Sequence, residues 1–109
     1  MVSSIVTNAA PAAIGPYSQG IVFGNMVYTS GQIPVNPADG SVPASIEEQA
    51  TQSLNNVKAV LEAAGASMDD VIKTTVFIQN MDDFAKINSV YAAYFAGPIL
   101  PARSCVDVA

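Results

Sequence analysis

The sequence contains no histidine, no tryptophan and only one cysteine, Cys105, among 109 residues. Without histidine it cannot supply a Ser-His-Asp triad, a histidine-ligated zinc site or a histidine-ligated haem. One cysteine can form neither an internal disulfide nor a cysteine-ligated iron–sulfur cluster. The carboxylates show no metal-site spacing, and no glycine-rich phosphate loop is present. Catalysis would have to use water, backbone groups, hydroxyls, carboxylates and arginine, so we expect no metal and no cofactor.

Positive charge is also scarce. The four cationic side chains are spread along the chain at Lys58, Lys73, Lys86 and Arg103, and the formal net charge at pH 7 is −5. A nucleic-acid-binding surface needs clustered cations to neutralise phosphates, so we expect no nucleic-acid partner. Only 12% of the residues are charged, and 50% are apolar. In a small protein, so little charge predicts that a subunit interface covers part of the surface.

Long hydrophobic runs are absent as well. The longest apolar stretches, such as residues 57–66, are interrupted by charge or glycine, whereas a membrane span needs about 20 apolar residues. The first residues show neither the basic region nor the long apolar region of a secretory signal. Together with the unpaired Cys105, these features predict no membrane partner and a cytoplasmic location.

The spacing of apolar residues predicts a single α+β domain over residues 1–109, with two helices packed on one face of a sheet. The first helix should begin with a capping box formed by Ser45 and Glu48, and should end at Gly65. The second should begin at Asn80 or Met81 and end before Gly97-Pro98. The predicted strands are residues 2–7, 18–23, 26–30, 71–79 and 102–108.

Three strand patterns carry further information. Gly24-Asn25 predicts a type II′ turn between the second and third strands. Residues 71–79 are apolar on both faces, which predicts a buried strand. In the last strand, Arg103 and Cys105 should share one face, while Ser104 and Val106 share the other. The sequence still has a strand pattern at residue 109, so we expect a further partner strand.

Arg103 is the only arginine and lies among apolar neighbours in a predicted strand. It is an edge-strand charge, the partner of Asp107 in a salt bridge, or a fork that binds a planar carboxylate through two hydrogen bonds. Cys105, on the same face, is either a small buried hydrophobe or a nucleophile, although no histidine is available to activate its thiol.

Several other residues have both a structural and a functional interpretation. Tyr17 follows the rigid Gly15-Pro16 pair and is either a packed aromatic or a side chain aimed at a ligand. Ser30-Gly31 closes the hairpin, where glycine allows a close backbone approach. Asn88 lies one position beyond the apolar stripe of the second helix, which contains Phe84.

Four segments, taken together, resemble the reactive intermediate deaminase family, also called RidA or YjgF. The segments are AAIGPYSQ (residues 12–19), TSGQIP (29–34), VIKTTVF (71–77) and PARSCV (101–106). The resemblance implies a chorismate-mutase-like α+β fold that assembles as a homotrimeric barrel, with a ligand cleft at each subunit interface. It also implies cofactor-free hydrolysis of 2-iminobutanoate or 2-iminopropanoate to a 2-oxoacid and ammonia.

The resemblance further implies roles for individual residues. Arg103 would pair with the substrate carboxylate, Tyr17 would move or orient a proton, and the Cys105 backbone carbonyl would hold the water. The remaining positions that match the cleft are Ser30, Gly31, Phe84 and Asn88.

Members of the family continue into a final strand that carries a water-activating glutamate and lies between the hairpin and the strand matching residues 71–79. We expect this strand to be missing here. The alternative is therefore a non-catalytic trimeric module that binds a small carboxylate and acts as a regulator or chaperone. Ribonuclease action, ascribed to some relatives, finds little support without histidine and at a net charge of −5.

Overall fold

The computed structural model describes residues 1–109 and confirms the α+β class. Every predicted helix and strand is present. The strands are one to three residues shorter than their sequence patterns. Single 3-10 turns precede β4 and α2. In chain order the elements are β1 (Val2–Ile5), β2 (Gly20–Phe23), β3 (Met26–Thr29), α1 (Ile46–Ala63), β4 (Lys73–Ile78), α2 (Phe84–Tyr94) and β5 (Ala102–Asp107).

The first three strands form an antiparallel sheet in the order β1-β2-β3. Gly24 begins the two-residue loop between β2 and β3 with φ at +60°, and Asn25 has no positive φ. A type II′ turn requires this combination, because only its first central residue is left-handed. The predicted hairpin is confirmed.

Helix α1 begins and ends where the sequence predicts. The Ser45 hydroxyl accepts a hydrogen bond from the N–H of Glu48 at 3.1 Å. It donates to the Glu48 carboxylate, also at 3.1 Å, so this carboxylate bonds to the hydroxyl instead of closing the reciprocal half of a capping box. At the other end, Gly65 has φ at +82°. Its N–H and that of the next residue bond back to Glu62 and Leu61, which is the Schellman arrangement.

The second sheet is a parallel pair, β4 and β5, joined by α2 as the crossover helix. The 3-10 turn Met81–Asp83 precedes α2, and Asn80 caps that turn by accepting from the N–H of Asp82 at 2.9 Å. The α-helical part therefore begins at Phe84, a few residues later than predicted.

Strands β3 and β4 are not paired with each other. The five strands form one sheet of three and one of two. The resemblance places a strand between the hairpin and β4, and no strand of residues 1–109 occupies that position. The facing edges of β3 and β4 consequently carry no ladder hydrogen bonds to each other.

Both helices pack on the same side of the strands. Val60 of α1 is fully buried against Ile5 of β1 and Ala10. Leu61 of α1 packs with Met68 and Phe95 in a second cluster, and Val27 of β3 contacts both clusters.

A polar contact also connects the two helices. The Tyr94 hydroxyl of α2 donates to Oδ1 of Asn55 of α1 at 2.6 Å. Burial raises the pKa of Tyr94 above its ordinary value of 10.0, so the hydroxyl keeps its proton throughout the neutral pH range.

The opposite face of both sheets is open and apolar. Val2, Phe23 and Tyr28 lie on this face of the first sheet, and Phe77 and Val106, which are register partners, lie on it in the second. All five are exposed, Phe77 by 66%. The expected burial of residues 71–79 on both faces is therefore wrong for the single chain, in which only 10 of 109 residues are buried. Neither α-helix is long and apolar enough to span a membrane.

Gly20 is the point of closest packing between the hairpin and α1, and we expect Gly20→Ala to destabilise the protein. An added Cβ would lie 2.9 Å from both Ile5 Cδ1 and Val60 Cγ1, and 3.0 Å from the Tyr28 carbonyl oxygen. Overpacking of this kind costs about 1–3 kcal/mol, so the midpoint of thermal unfolding should fall by at least about 4 °C. Gly31→Ala is the matched control, since an added Cβ there meets nothing within 4 Å. Equal midpoints for the two variants would contradict this packing.

Candidate functional site

Arg103 lies on β5 with its side chain directed toward α2. In the parallel register it is opposite Thr74 of β4. Its Nη1 donates to Oδ1 of Asn88 on α2 at 2.6 Å. On the opposite face of the same strand, Ser104 accepts a hydrogen bond from Lys73 at 2.8 Å. The predicted alternation of β5 side chains is confirmed, and it is what separates Arg103 from the open apolar face.

Two aromatic rings of α2 flank the guanidinium. The Arg103 Cζ atom lies 4.8 Å from the ring centroid of Tyr91 and 5.5 Å from that of Phe84. Asn88 lies between these residues in the sequence, four after Phe84 and three before Tyr91, so all three project from one helix face. One face of α2 thus supplies a hydrogen-bond acceptor and two π surfaces to a single cation.

The hydrogen-bond partner of Arg103 is electrically neutral. Its hydrogen bond goes to the Asn88 amide rather than to the Asp107 carboxylate that the sequence left as an alternative. An amide oxygen fixes the orientation of the guanidinium without cancelling its charge. Arginine has five N–H donors in a planar fork, so several remain available. The arrangement can bind a planar carboxylate through two parallel hydrogen bonds.

Cys105 shares this side of β5 and is opposite Val76 in the register. Its thiol is free and partly buried. The N–H of Ala102 bonds to the Ile72 carbonyl and that of Val108 to the Ile78 carbonyl, so the backbone N–H and C=O groups of the even-numbered residues in this segment point toward β4. The N–H and C=O of Arg103 and Cys105 therefore point to the free edge of the sheet. At that edge the Cys105 carbonyl is available to accept a hydrogen bond from water.

Tyr17, Ser30 and Gly31 form a second group, at the end of the β2–β3 hairpin. The Ser30 hydroxyl donates to the Ser18 carbonyl at 2.6 Å, and the Ser30 N–H donates to the Gln19 carbonyl at 2.9 Å. Tyr17 is about half exposed, and its hydroxyl accepts from the Ile14 N–H at 3.4 Å. Gly31 is exposed. No hydrogen bond joins this group to Arg103 or Asn88, so the candidate residues form two separate groups in the single chain.

Two buried amides hold the loops around the second group. The Gln19 side chain bonds to both backbone groups of Thr7 and to the carbonyls of Ala10 and Pro11. The Asn56 amide donates to the carbonyls of Ile33 and Val35, just beyond Gly31. Sequence reasoning gave these residues no role, because an isolated Gln or Asn carries no pattern that distinguishes a buried clamp from a surface side chain.

Tyr91 and Thr74 were also missed as parts of the Arg103 environment. Tyr91 follows Asn88 by three residues on α2, and this spacing was the available signal. No group of three or more His, Cys, Asp or Glu side chains is placed to hold a metal ion.

The neutrality of Asn88 gives a direct test of the Arg103 site. We expect Asn88→Asp to weaken the binding of a small 2-oxo carboxylate roughly tenfold, because the new carboxylate would occupy the fork and cancel its charge. Asn88→Ala should weaken it less, since the charge remains and only the orientation is lost. Titration calorimetry with 2-oxobutanoate would measure both dissociation constants. If the aspartate variant binds as well as the parent, the Arg103 charge does not anchor the ligand.

Comparison with known proteins connects this geometry to a family. The family model described as Endoribonuclease L-PSP matches residues 7–109. A curated relative from Escherichia coli strain K12, named 2-iminobutanoate/2-iminopropanoate deaminase, is 57% identical over 111 aligned residues that cover 100% of this chain and 87% of the relative.

Two solved structures show how closely the fold is shared. A protein of unknown function of the conserved Rid family from Yersinia pestis has a TM-score of 0.96 at 50% identity, covering 99% of this chain and 86% of that one. The E. coli protein TdcF with bound serine has a TM-score of 0.94 at 54% identity, covering 97% of this chain and 85% of that one. Identity at this level across nearly the whole chain shows that this protein belongs to the RidA/YjgF family, the family of the Endoribonuclease L-PSP model.

Proposed function

We propose that this protein is an enzyme that hydrolyses reactive 2-imino acids and their enamine tautomers, with 2-iminobutanoate and 2-iminopropanoate as substrates. The observation that carries the proposal is the Arg103 guanidinium, oriented by the neutral Asn88 amide and two aromatic rings with its charge uncancelled. Such a group is suited to the carboxylate that every 2-imino acid carries. The names of the curated relatives support the same reaction.

The groups that the chain supplies are sufficient for this hydrolysis. Water adds to the electrophilic carbon of the C=N bond to give a carbinolamine. A proton moves to the nitrogen, ammonia leaves and the 2-oxoacid remains. Arg103 holds the carboxylate, the Cys105 carbonyl orients the water and the Tyr17 hydroxyl transfers or orients the proton. Because an imine is already electrophilic, positioning supplies most of the acceleration, and neither a cofactor nor a metal is required.

Small ligands with an amino-acid skeleton fit this proposal. The related structure of TdcF was solved with bound serine, a molecule with one carboxylate and a short polar side chain. Ser30, Gly31 and Phe84 are the proposed contacts for the remainder of the substrate. Gly31 has open space around its Cα, so a ligand can approach its backbone closely.

We also propose that residues 1–109 form one domain that assembles as a homotrimeric barrel in the chorismate-mutase-like manner. The open face that carries Phe23, Tyr28, Phe77 and Val106 would line the interior of the barrel, with the helices outside. Burial of such a face on assembly provides the apolar area that the small core of the single chain lacks.

A complete cleft would then form between two subunits. Arg103 lies at an open surface, and a concave region of the chain lies elsewhere, between α1 and α2, beside Asn55, Lys58 and Tyr94. The group at Tyr17 and Ser30 lies beside the first sheet, and Arg103 lies on the second. Contact between these groups from neighbouring subunits would bring all the proposed site residues together.

The single free thiol, Cys105, suits a reducing compartment, and we assign the protein to the cytoplasm.

A second candidate function is a non-catalytic trimeric module that binds a small carboxylate. The observation that favours it is the position of the three glutamates, Glu47, Glu48 and Glu62, all of which lie on α1. None of them accompanies Arg103 as a water-activating carboxylate. Such a module would retain the carboxylate fork and act in regulation or as a chaperone.

A coupled assay separates the two functions. A pyridoxal-phosphate-dependent dehydratase acting on threonine would generate 2-iminobutanoate, and a dehydrogenase with NADH would report 2-oxobutanoate, after subtraction of the spontaneous rate. We expect the protein to accelerate the appearance of the oxoacid in proportion to its concentration. Calorimetric binding of 2-oxobutanoate without acceleration would establish the binding module instead. Absence of both would overturn the carboxylate site itself.

A further inference from the structure

The Tyr91 ring connects the Arg103 guanidinium to the protein core. On one side its centroid lies 4.8 Å from Arg103 Cζ. On the other, it lies 4.5 Å from the ring centroid of Phe95, with the two planes tilted by 38°. Phe95 is buried in the cluster with Leu61 and Met68. The ring is thus held by packing, and its orientation does not depend on a ligand.

The Tyr91 hydroxyl fixes the ring a second time. It forms a hydrogen bond of 2.7 Å with the Thr74 hydroxyl. Thr74 lies on β4 directly opposite Arg103 in the strand register. The bond therefore joins α2 to β4, the strand that pairs with the strand of Arg103. It fixes the distance between the Tyr91 ring and β4. Neither hydroxyl has a role in the proposed reaction.

Two further contacts come from the same helix face. Asn88 accepts from Nη1 of Arg103, and the Phe84 ring centroid lies 5.5 Å from Arg103 Cζ. Of the two rings, that of Tyr91 is the nearer, at 4.8 Å. A single hydrogen bond leaves the guanidinium free to rotate about it, whereas a second contact, with an aromatic ring, restricts that rotation. Bidentate carboxylate binding depends on the plane of the guanidinium.

We propose that Tyr91 and Thr74 are positioning residues that set the plane of the Arg103 guanidinium for carboxylate binding. Tyr91 supplies the π platform, and Thr74 holds the platform in place through the hydroxyl pair. The identity of the ligand in this proposal rests on the proposed function, but the positioning itself is a property of the protein without ligand.

The first test needs neither activity nor ligand. Arg103 is the only arginine, so its Nε–Hε group gives a single, unambiguous nitrogen–proton NMR signal. We expect Tyr91→Leu to lower the order parameter of that group and to shift its proton, because the nearby ring is lost. Thr74→Val should lower the order parameter by a smaller amount. Tyr94→Phe is the matched control, because it removes a tyrosine hydroxyl from the same helix that bonds to Asn55 instead.

The second test measures binding and turnover. Ordering the guanidinium before the ligand binds is worth a factor of roughly two to ten in affinity, because the ligand does not have to order that side chain. We expect Tyr91→Leu to raise the dissociation constant for 2-oxobutanoate by about that factor. Tyr91→Phe and Thr74→Val, which keep a ring in place, should raise it roughly two- to fivefold. KM for the imine should follow the dissociation constant while kcat changes less, since the carboxylate contact is present before and during the reaction.

The outcomes separate this proposal from the proposed function. An unchanged Arg103 signal in Tyr91→Leu overturns the positioning role, whatever ligand the protein binds. Should that variant fail to fold, the milder Thr74→Val and Tyr91→Phe variants decide the question by the same signal. A lowered order parameter in a protein that neither binds 2-oxobutanoate nor accelerates its formation supports the positioning role and overturns the proposed function.

Discussion

Arg103→Ala should reduce kcat/KM for the carboxylate-bearing imine about thirtyfold or more. The substitution removes a charge-assisted bidentate contact that would be partly desolvated once the proposed cleft closes. Loss of one partner of such a pair costs at least about 2 kcal/mol, which corresponds to roughly a thirtyfold change in rate. The dehydratase-coupled assay would measure the effect, and calorimetry with 2-oxobutanoate should show a parallel loss of affinity.

Three further variants make this result specific. Lys86→Ala is the matched control, because Lys86 is an exposed cation of the same helix α2. Its loss should leave turnover unchanged, which excludes a general effect of net charge. Arg103→Lys should recover little, since an ammonium group cannot reproduce the fork. Cys105→Ser should keep most of the rate, because only the backbone carbonyl of Cys105 takes part.

The opposite pattern would replace the proposed mechanism. If Arg103→Ala retained near-normal turnover and Cys105→Ser abolished it, a nucleophilic thiol would have to carry the reaction. Such a thiol would act without histidine, which this sequence lacks.

The second large effect is expected at the open face of the sheets. Sedimentation equilibrium should give a mass of about three times that of the 11.3 kDa chain. Phe77→Glu should reduce this mass and abolish turnover, because it would bury a carboxylate from every subunit inside the barrel. Ala63→Glu adds the same charge on the outer side of α1, where Ala63 is exposed, and should leave the trimer intact. A parent protein that sediments as a monomer at all concentrations would rule out the shared cleft.

Mixed assemblies test whether the cleft is shared between subunits. Tyr17→Ala and Arg103→Ala should each be nearly inactive alone, and their co-expression should restore activity. In random mixing, about a quarter of the interfaces would pair an intact Tyr17 with an intact Arg103 from the neighbouring chain. If mixing restored nothing while each variant still formed trimers, each site would have to be complete within one subunit.

Local structure was largely readable from the sequence, because it depends on residues that are close along the chain. The Ser45 cap, the Gly65 stop and the Gly24 turn each follow from backbone conformations that only a few residue types adopt easily. The alternation in β5 placed Arg103 and Cys105 on one face before the fold was known. The small number of charges likewise indicated the apolar surface that the open sheet face displays.

Contacts between distant segments were decided only by the tertiary structure. No periodicity in the sequence indicates that β4 pairs with β5 in parallel while β3 remains unpaired with β4, since strand pairing depends on the whole arrangement of elements. The choice of Asn88 over Asp107 as the partner of Arg103 was equally hidden. Residues 103 and 107 are close in sequence, but the crossover helix brings Asn88 closer in space.

The environment of Arg103 illustrates the difference between what the sequence determined and what the tertiary structure decided. The sequence by itself determined that one arginine is present and that it lies on a strand face with Cys105. The tertiary structure placed Phe84, Asn88 and Tyr91 over its guanidinium and connected Tyr91 to Thr74 and the core. The physical reason is that residue type and strand period act locally, whereas the orientation of a charged side chain depends on the packing of three separate elements.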